Sequence, residues 1–211
     1  MFRRRSRSEP DEPVESSEVD EADVSAEPEA PAGPWDSEEQ PDDGLQRVDL
    51  GSLRVPPREG ADLRLQVDEA TGEVQSVMLA AEEGALELRA FAAPRNGDLW
   101  SEVRPQIAAD VAQHGGTATE REGRWGIELV CQMQVVLPDG SKGIQPSRII
   151  GVNGSRWLLR ATLLGQPAVE PESAGPWEEA LATVVVHRGG QAMPVGDALP
   201  LVLPDDAQRM S

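Results

Sequence analysis

Apolar and polar residues alternate along much of the first half of the chain. Two runs show this pattern clearly, at 63–67 and 86–92, and a third strand candidate lies between them at 74–81. A period of two is typical of antiparallel strands that have one face in water. We therefore predict three such strands, and a short strand before them that ends at Pro56-Pro57, because proline cannot donate to a sheet.

The period changes to that of a helix after Pro94 and Gly97, which interrupt the third strand. Four apolar residues then recur at helical spacing on one face, namely Trp100, Val103, Ile107 and Val111. Asp98 or Ser101 can accept the free N–H groups of the first turn. Gly115-Gly116 can end the helix. We predict an amphipathic helix between these signals.

The second half of the chain again has strands followed by a helix. Residues 127–137 alternate, and Asn153-Gly154 is typical of a two-residue hairpin turn. Such a turn would pair Ile150 with Trp157. We predict a second helix that begins at Gly175-Pro176, since proline fits the first turn of a helix.

This order predicts an α+β fold: a curved antiparallel sheet of about six to seven strands, packed with two main helices in strand-helix-strand-helix order. We divide the chain into a disordered acidic arm (1–44), one α+β domain (45–190) and an extended tail that lies on the domain (191–211). A dinucleotide-binding fold is excluded, because it needs alternating strands and helices joined by a Gly-rich turn.

The negative charge is concentrated near the N-terminus. The formal net charge of the chain is −19, and residues 1–46 hold fifteen acidic residues and four arginines. This segment cannot bury enough apolar surface to offset the entropy cost of ordering it. Nucleic-acid binding depends on neutralising phosphates, so the excess of acidic residues argues against a nucleic-acid partner.

Few residues offer catalytic or metal-binding chemistry. Cys131 falls on an apolar face, where it acts as a small hydrophobic residue, and His114 and His187 fall near predicted helix ends. No nucleophile-elbow or zinc-protease motif occurs. We predict no enzyme activity, catalytic residues, metal or cofactor. No apolar run approaches the ~20 residues of a membrane helix, and no hydrophobic signal segment follows the basic start, so we expect a cytoplasmic location without membrane contact.

Trp35 stands in the acidic stretch PAGPWDSEEQ, which has no periodicity of its own. One interpretation buries Trp35 against its own domain. The other makes it the anchor of a short motif that docks on a partner protein, with Asp36, Glu38 and Glu39 steering the approach. Both alternatives remain open from the sequence.

Arg156 and Arg160 fall on the polar side of the predicted hairpin, and Arg148 falls nearby. Such a face is either solvated surface or an anion-binding patch. An acidic partner, a nucleotide phosphate or the protein's own arm could occupy it. We expect the arm to compete there, so that deleting residues 1–44 raises the affinity for a polyanion.

Four stretches carry a family resemblance: GPWDSEE, RVDLGSLRVP, LRAFAAPRNGDLWSEVRPQIAADVAQHGG and RIIGVNGSRWLLRATLLG. They resemble the actinobacterial domain of unknown function 3710 family, from about Gly33 to the LPLVLP tail. This family implies no established activity, cofactor or catalytic residue, although its genes often lie beside one for a dUTP diphosphatase. More loosely, the element order is similar to that of Mog1/PsbP-like and secretion-chaperone-like domains.

These observations favour a non-enzymatic protein-protein interaction or accessory module with a disordered acidic arm, and another protein as its partner. The alternative is a nucleotide- or nucleic-acid-associated accessory protein that uses the Arg-rich sheet face. That alternative rests mainly on the gene neighbourhood of the family.

Overall fold

The computed structural model describes residues 33–136 and 140–203. Most of the predicted arm, the end of the strand predicted to reach residue 137, and the last part of the predicted tail lie outside the described residues. The strands are β1 Trp35–Asp36, β2 Val48–Asp49, β3 Leu53–Val55, β4 Asp62–Val67, β5 Val74–Ala80, β6 Gly84–Ala92, β7 Thr117–Gly123, β8 Gly126–Val136, β9 Lys142–Asn153, β10 Trp157–Gly165 and β11 Val185–Val186. The helices are α1 Leu99–Gln113, α2 Gln166–Val169 and α3 Pro171–Ala182.

The described fold is mostly sheet. Seven strands form an antiparallel main sheet in the order β4-β5-β6-β10-β9-β8-β7, and four short strands form a second sheet in the order β1-β11-β3-β2. The predicted antiparallel sheet is confirmed. Strand β7 was not predicted, because its sequence TATEREG is almost entirely polar and has no apolar alternation.

The β9–β10 hairpin has a different register from the predicted one. Ile150 pairs with Ala161 instead of Trp157, and the N–H of Gly154 donates to the carbonyl of Trp157 at 2.8 Å. The Trp157 indole lies against Gly154, where a Cβ atom would overlap it. This packing of Trp157 over Gly154 does not fit the predicted two-residue turn, and the observed loop is longer. The slip is an even number of residues, so each side chain keeps its predicted face.

Helix α1 forms where the apolar spacing predicts it. The Asp98 carboxylate accepts the Ser101 N–H at 3.1 Å, and Gly115 takes a φ of +78° after the helix ends. Trp100 and Val111 are buried on the inner face. The capping and the amphipathic face are therefore confirmed.

The second predicted helix begins earlier than expected. Helix α3 begins at Pro171, directly after the short helix α2, and Pro176 lies inside it instead of at its start. Pro171 provides the proline-compatible first turn that the sequence analysis assigned to Pro176. Trp177 and Leu181 are buried as predicted.

Two apolar clusters lie on opposite faces of the main sheet. Leu158 and Leu159 are consecutive in β10 and belong to different clusters, so they point to opposite faces. The Leu159 cluster contains residues of α3 and the small sheet, and the Leu158 cluster contains residues of α1. Each fully buried leucine contributes roughly 1.5–3 kcal/mol, so both layers are needed to hold the sheet.

The C-terminal segment completes one edge of β6. Strand β5 pairs with β6 only up to Leu88. Beyond that point, the N–H of Leu199 donates to the carbonyl of Ala90 at 2.9 Å, and Ala198 bridges Phe91. The backbone of β6 is thus satisfied by an extended segment that crosses the domain.

Candidate functional site

A polar cleft of about 490 Å³ opens where the small sheet meets the β9–β10 loop. We call it the arginine cleft. Its principal lining residues are Asp36, Ser37, Arg95, Arg156, His187 and Arg188. They come from four separate segments, so the fold is what brings them together.

Backbone pairing explains this convergence. Asp36 pairs with Val186 in parallel strands β1 and β11, which places the residues after both strands side by side. The N–H of Asn96 donates to the carbonyl of Ser155 at 2.8 Å, and so fixes the loop after β6 against the β9–β10 loop. Arg95 and Arg156 are brought to the same cleft by this contact.

Asp36 joins these segments through its carboxylate. Its Oδ2 accepts hydrogen bonds from Ser155 Oγ at 2.8 Å and from Trp157 Nε1 at 2.9 Å. Its Oδ1 accepts the N–H of Glu38 at 3.1 Å. Partial burial opposes ionisation, but these hydrogen bonds and the nearby Arg156 together lower the pKa of Asp36. Asp36 is therefore a charged structural link.

The three arginines keep most of their hydrogen-bonding capacity. Within the described residues none of them forms an ion pair. Arg156 donates to the carbonyl of Gly189 at 3.4 Å, and Arg188 donates to that of Gln191 at 3.1 Å. Arg188 Nε is buried without a partner. A guanidinium has five N–H donors, so the cleft presents many unused donors, and its three arginines outnumber its two carboxylates, Asp36 and Glu38.

Ser37 and His187 also meet in the cleft, with Ser37 Oγ 2.9 Å from His187 Nδ1. A hydroxyl and an imidazole at this distance can form a nucleophile–base pair when a third group orients the imidazole. The neighbouring Asp36 carboxylate is already bonded to Ser155 and Trp157. The described residues also contain no group of three or more His, Cys, Asp or Glu side chains arranged to hold a metal ion.

Trp35 and its acidic neighbours lie on the domain. Trp35 is half-buried in β1, and its N–H donates to the carbonyl of Val184 at 2.9 Å. Glu38 lies at the rim of the cleft, and Glu39 is exposed. Trp35 and Asp36, predicted as part of a disordered arm, are thus held on the domain by pairing with β11, and Trp35 has apolar surface to bury there.

The predicted patch of Arg148, Arg156 and Arg160 is not formed as one surface. Arg148 is buried, with Nε 2.7 Å from Glu128 Oε1 and an Nη atom 2.6 Å from Glu178 Oε1. It pairs with Leu163 in the sheet and therefore points to the core face. Arg160 lies beside Phe91, and only Arg156 lines the cleft. Arg148 is unavailable to an external anion.

Arg95 and Arg188 were not assigned to a site from the sequence. Both stand in turn sequences that contain glycine, PRNG and HRGG. Glycine indicates a turn, but it gives no information about which distant turn lies beside it.

A family model described as "Protein of unknown function (DUF3710)" matches residues 33–210. No curated protein matches the chain. A crystal structure from Bacteroides thetaiotaomicron is similar at 12% identity and a TM-score of 0.41. The matched region covers 71% of this chain but only 52% of the Bacteroides chain. The solution structure of PsbP (CyanoP) from Synechocystis sp. PCC 6803 is similar at 12% identity and a TM-score of 0.39, covering 67% of this chain and 92% of that one. The resemblance to the family, stated from the sequence, is confirmed.

Proposed function

The chain belongs to the DUF3710 family, and we propose that it is a non-enzymatic interaction module whose arginine cleft binds an acidic segment of a partner protein. The observation that supports this most is the convergence of Arg95, Arg156 and Arg188 in one cleft without an ion pair among the described residues. Carboxylates are the natural acceptors for such groups.

The shape and lining of the cleft favour a peptide over a nucleotide. It is wide and polar, and no Phe, Tyr or Trp side chain lines it, although the His187 imidazole does. Nucleotide and single-stranded nucleic-acid sites commonly stack the base on an aromatic ring. An extended acidic peptide needs only spaced cations, which three separate arginines provide.

The overall charge also favours a short ligand. The chain carries a formal net charge of −19. A short acidic segment can lie within the field of the three arginines, since charges are screened beyond a Debye length of about 8–10 Å. A long polynucleotide would extend past the cleft and meet negative surface.

A fluorescently labelled hexaglutamate peptide provides a direct test. We expect the full-length protein to raise its fluorescence anisotropy. Arg95→Gln and Arg156→Gln are each expected to weaken binding about tenfold, because each removes charge-assisted hydrogen bonds. Higher salt should weaken binding further.

Arg64→Gln is the matched control. Arg64 is an exposed arginine whose ion-pair partner is Asp62 of β4, outside the cleft. An equal loss in Arg64→Gln would show that the peptide responds only to general charge and would contradict a cleft site. If a nucleoside triphosphate displaces the peptide and binds more tightly, the nucleotide alternative replaces this proposal.

The Ser37–His187 pair gives the non-enzymatic assignment its own test. We expect the protein to hydrolyse a nitrophenyl ester no faster than free imidazole does. Hydrolysis that Ser37→Ala abolishes would contradict the assignment. Among the described helices none is long and apolar enough to cross a membrane, and the cytoplasmic location stays a prediction.

A further inference from the structure

Two arginines lie opposite each other in the main sheet, away from the arginine cleft. Arg89 of β6 pairs directly with Arg160 of β10. Directly opposite residues of an antiparallel pair point to the same face, where their like charges repel. The guanidinium carbon of each lies 5.4 Å from the centroid of the Phe91 ring. The ring attracts each cation only weakly.

The described residues neutralise this arginine pair only in part. Arg89 Nε is buried and has no hydrogen-bond partner. Neither arginine forms an ion pair within the described ranges. Burial lowers the pKa of Arg160; Glu87 opposes this shift, and Arg89 adds to it. Partly buried, unsatisfied cations of this kind gain free energy when an anion binds them.

An apolar groove of about 160 Å³ begins beside Arg160, between α1 and the sheet. Its apolar lining consists of Phe91, Leu99, Val103, Ile107 and Leu158. An engineered cavity of about 150 Å³ with similar walls holds a benzene molecule. The groove therefore has room for one six-membered ring or a branched aliphatic group.

We propose that the arginine pair and this groove bind a small organic acid with a single-ring or branched apolar body. The carboxylate accepts hydrogen bonds from Arg160, which lines the groove, and its charge offsets the repulsion between Arg160 and Arg89. The body contacts Phe91, Val103 and Ile107 and removes their apolar surface from water. The groove has no lining residue in common with the arginine cleft, so this site stands or falls independently of the proposed function.

Calorimetric titration of the full-length protein with 3-phenylpropanoate tests the site. The neutral amide of this acid supplies the body without the charge, and inorganic phosphate supplies charge without the body. We expect both to bind at least about tenfold more weakly than the acid. An amide that binds as tightly as the acid, or an acid that does not bind, overturns the proposal.

Two variants separate the halves of the site. Arg160→Met keeps an apolar stem but removes the charge, and is expected to weaken acid binding about tenfold. It should maintain or raise the Tm, because it removes a repulsive neighbour of Arg89. Val103→Phe fills the groove and should also weaken binding while both arginines remain. Unchanged affinity in both variants overturns the proposal, and Arg64→Met is the control expected to bind normally.

Discussion

At the scale of single residues, the Asp36 carboxylate joins three segments of the chain. We predict that Asp36→Asn lowers the free energy of unfolding at pH 7 by about 1–3 kcal/mol, because an amide cannot accept all the bonds that Ser155, Trp157 and Glu38 donate. The pKa of Asp36 is lowered in the folded state. Its stabilisation is therefore present above the unfolded pKa, about 3.9, and is lost as the pH falls through the folded value.

Urea unfolding at neutral and at acidic pH measures this effect. The difference between wild type and Asp36→Asn should shrink in acid. Asp62→Asn is the control, since Asp62 forms an exposed pair with Arg64 and should change stability by less than about 0.5 kcal/mol. A loss for Asp36→Asn that is equal at both pH values would contradict an ionic role for this carboxylate.

At this scale the sequence indicates which residue types matter better than it indicates their surroundings. It selected Asp36 and Arg156, and both line the cleft. Arg148 was predicted to lie on the same patch, because the alternation of apolar and polar residues along a strand does not show whether a charged residue is buried. Arg148 lies on the core face only because Glu128 and Glu178 neutralise it there. Such pairing depends on which helix covers the sheet, and this is a tertiary property.

At the scale of elements, the position of α1 depends on one glycine. Gly151 of β9 lies under the Trp100 indole, and an added Cβ would overlap that ring. Trp100 Nε1 also donates to the carbonyl of Ile127 at 2.6 Å, so the indole has little freedom to move. We predict that Gly151→Ala lowers the free energy of unfolding by about 1–3 kcal/mol, as measured by urea unfolding followed by tryptophan fluorescence.

Gly175→Ala is the matched control and should change stability little. Gly175 lies inside α3, and apart from its chain neighbours and the helix backbone no atom lies within 4 Å of an added Cβ. Alanine restricts the unfolded chain and favours a helix, but Pro176 disfavours a helical conformation for a preceding residue that has a Cβ, so we expect a change of less than about 1 kcal/mol. An equal loss for both variants would mean that alanine is unfavourable in general, and would contradict the specific overlap with Trp100.

The elements that the sequence predicted are those with strong local signals. Alternation indicated β4, β5, β6 and β8, and apolar spacing with a cap indicated α1. The hairpin register was wrong because Asn153-Gly154 suggests a tight turn by itself, whereas Trp157 packs over Gly154 and lengthens the loop. Strand β7 was missed because it lies at the edge of the sheet, where polar residues are favoured and no apolar alternation marks the strand.

At the scale of the whole molecule, the main sheet is covered on both faces, and both ligand candidates lie near the first half of β10. The arginine cleft lies at the β9–β10 loop, and the arginine pair lies within the sheet beside α1. The sequence predicted the sheet and α1 but not these junctions. A junction is formed by residues distant along the chain, and alternation along one strand contains no information about its distant neighbours.

Residues 1–32 contain ten acidic residues, and the chain enters the described fold beside the arginine cleft. The carbonyl of Gly33 accepts a hydrogen bond from Trp125 Nε1 at 3.0 Å, and Asp36 lines the cleft three residues later. We predict that these acids compete for the cleft, in which case their attachment to the same chain makes the competition intramolecular. Deletion through residue 44 would also remove Asp36, so the sharper change is to replace the ten acids by Asn and Gln.

We expect the neutralised chain to bind the labelled hexaglutamate peptide several-fold more tightly than wild type, because its own carboxylates no longer compete for Arg95, Arg156 and Arg188. Anisotropy at low and high salt measures the gain, which should decrease as salt screens the cleft. The same replacement made in the Arg95→Gln variant separates competition at the cleft from general repulsion. Competition predicts a smaller gain in that variant, because its cleft has lost one arginine, whereas general repulsion predicts an equal gain. An unchanged affinity, or an equal gain in Arg95→Gln, would show that the N-terminal acids do not act at this cleft.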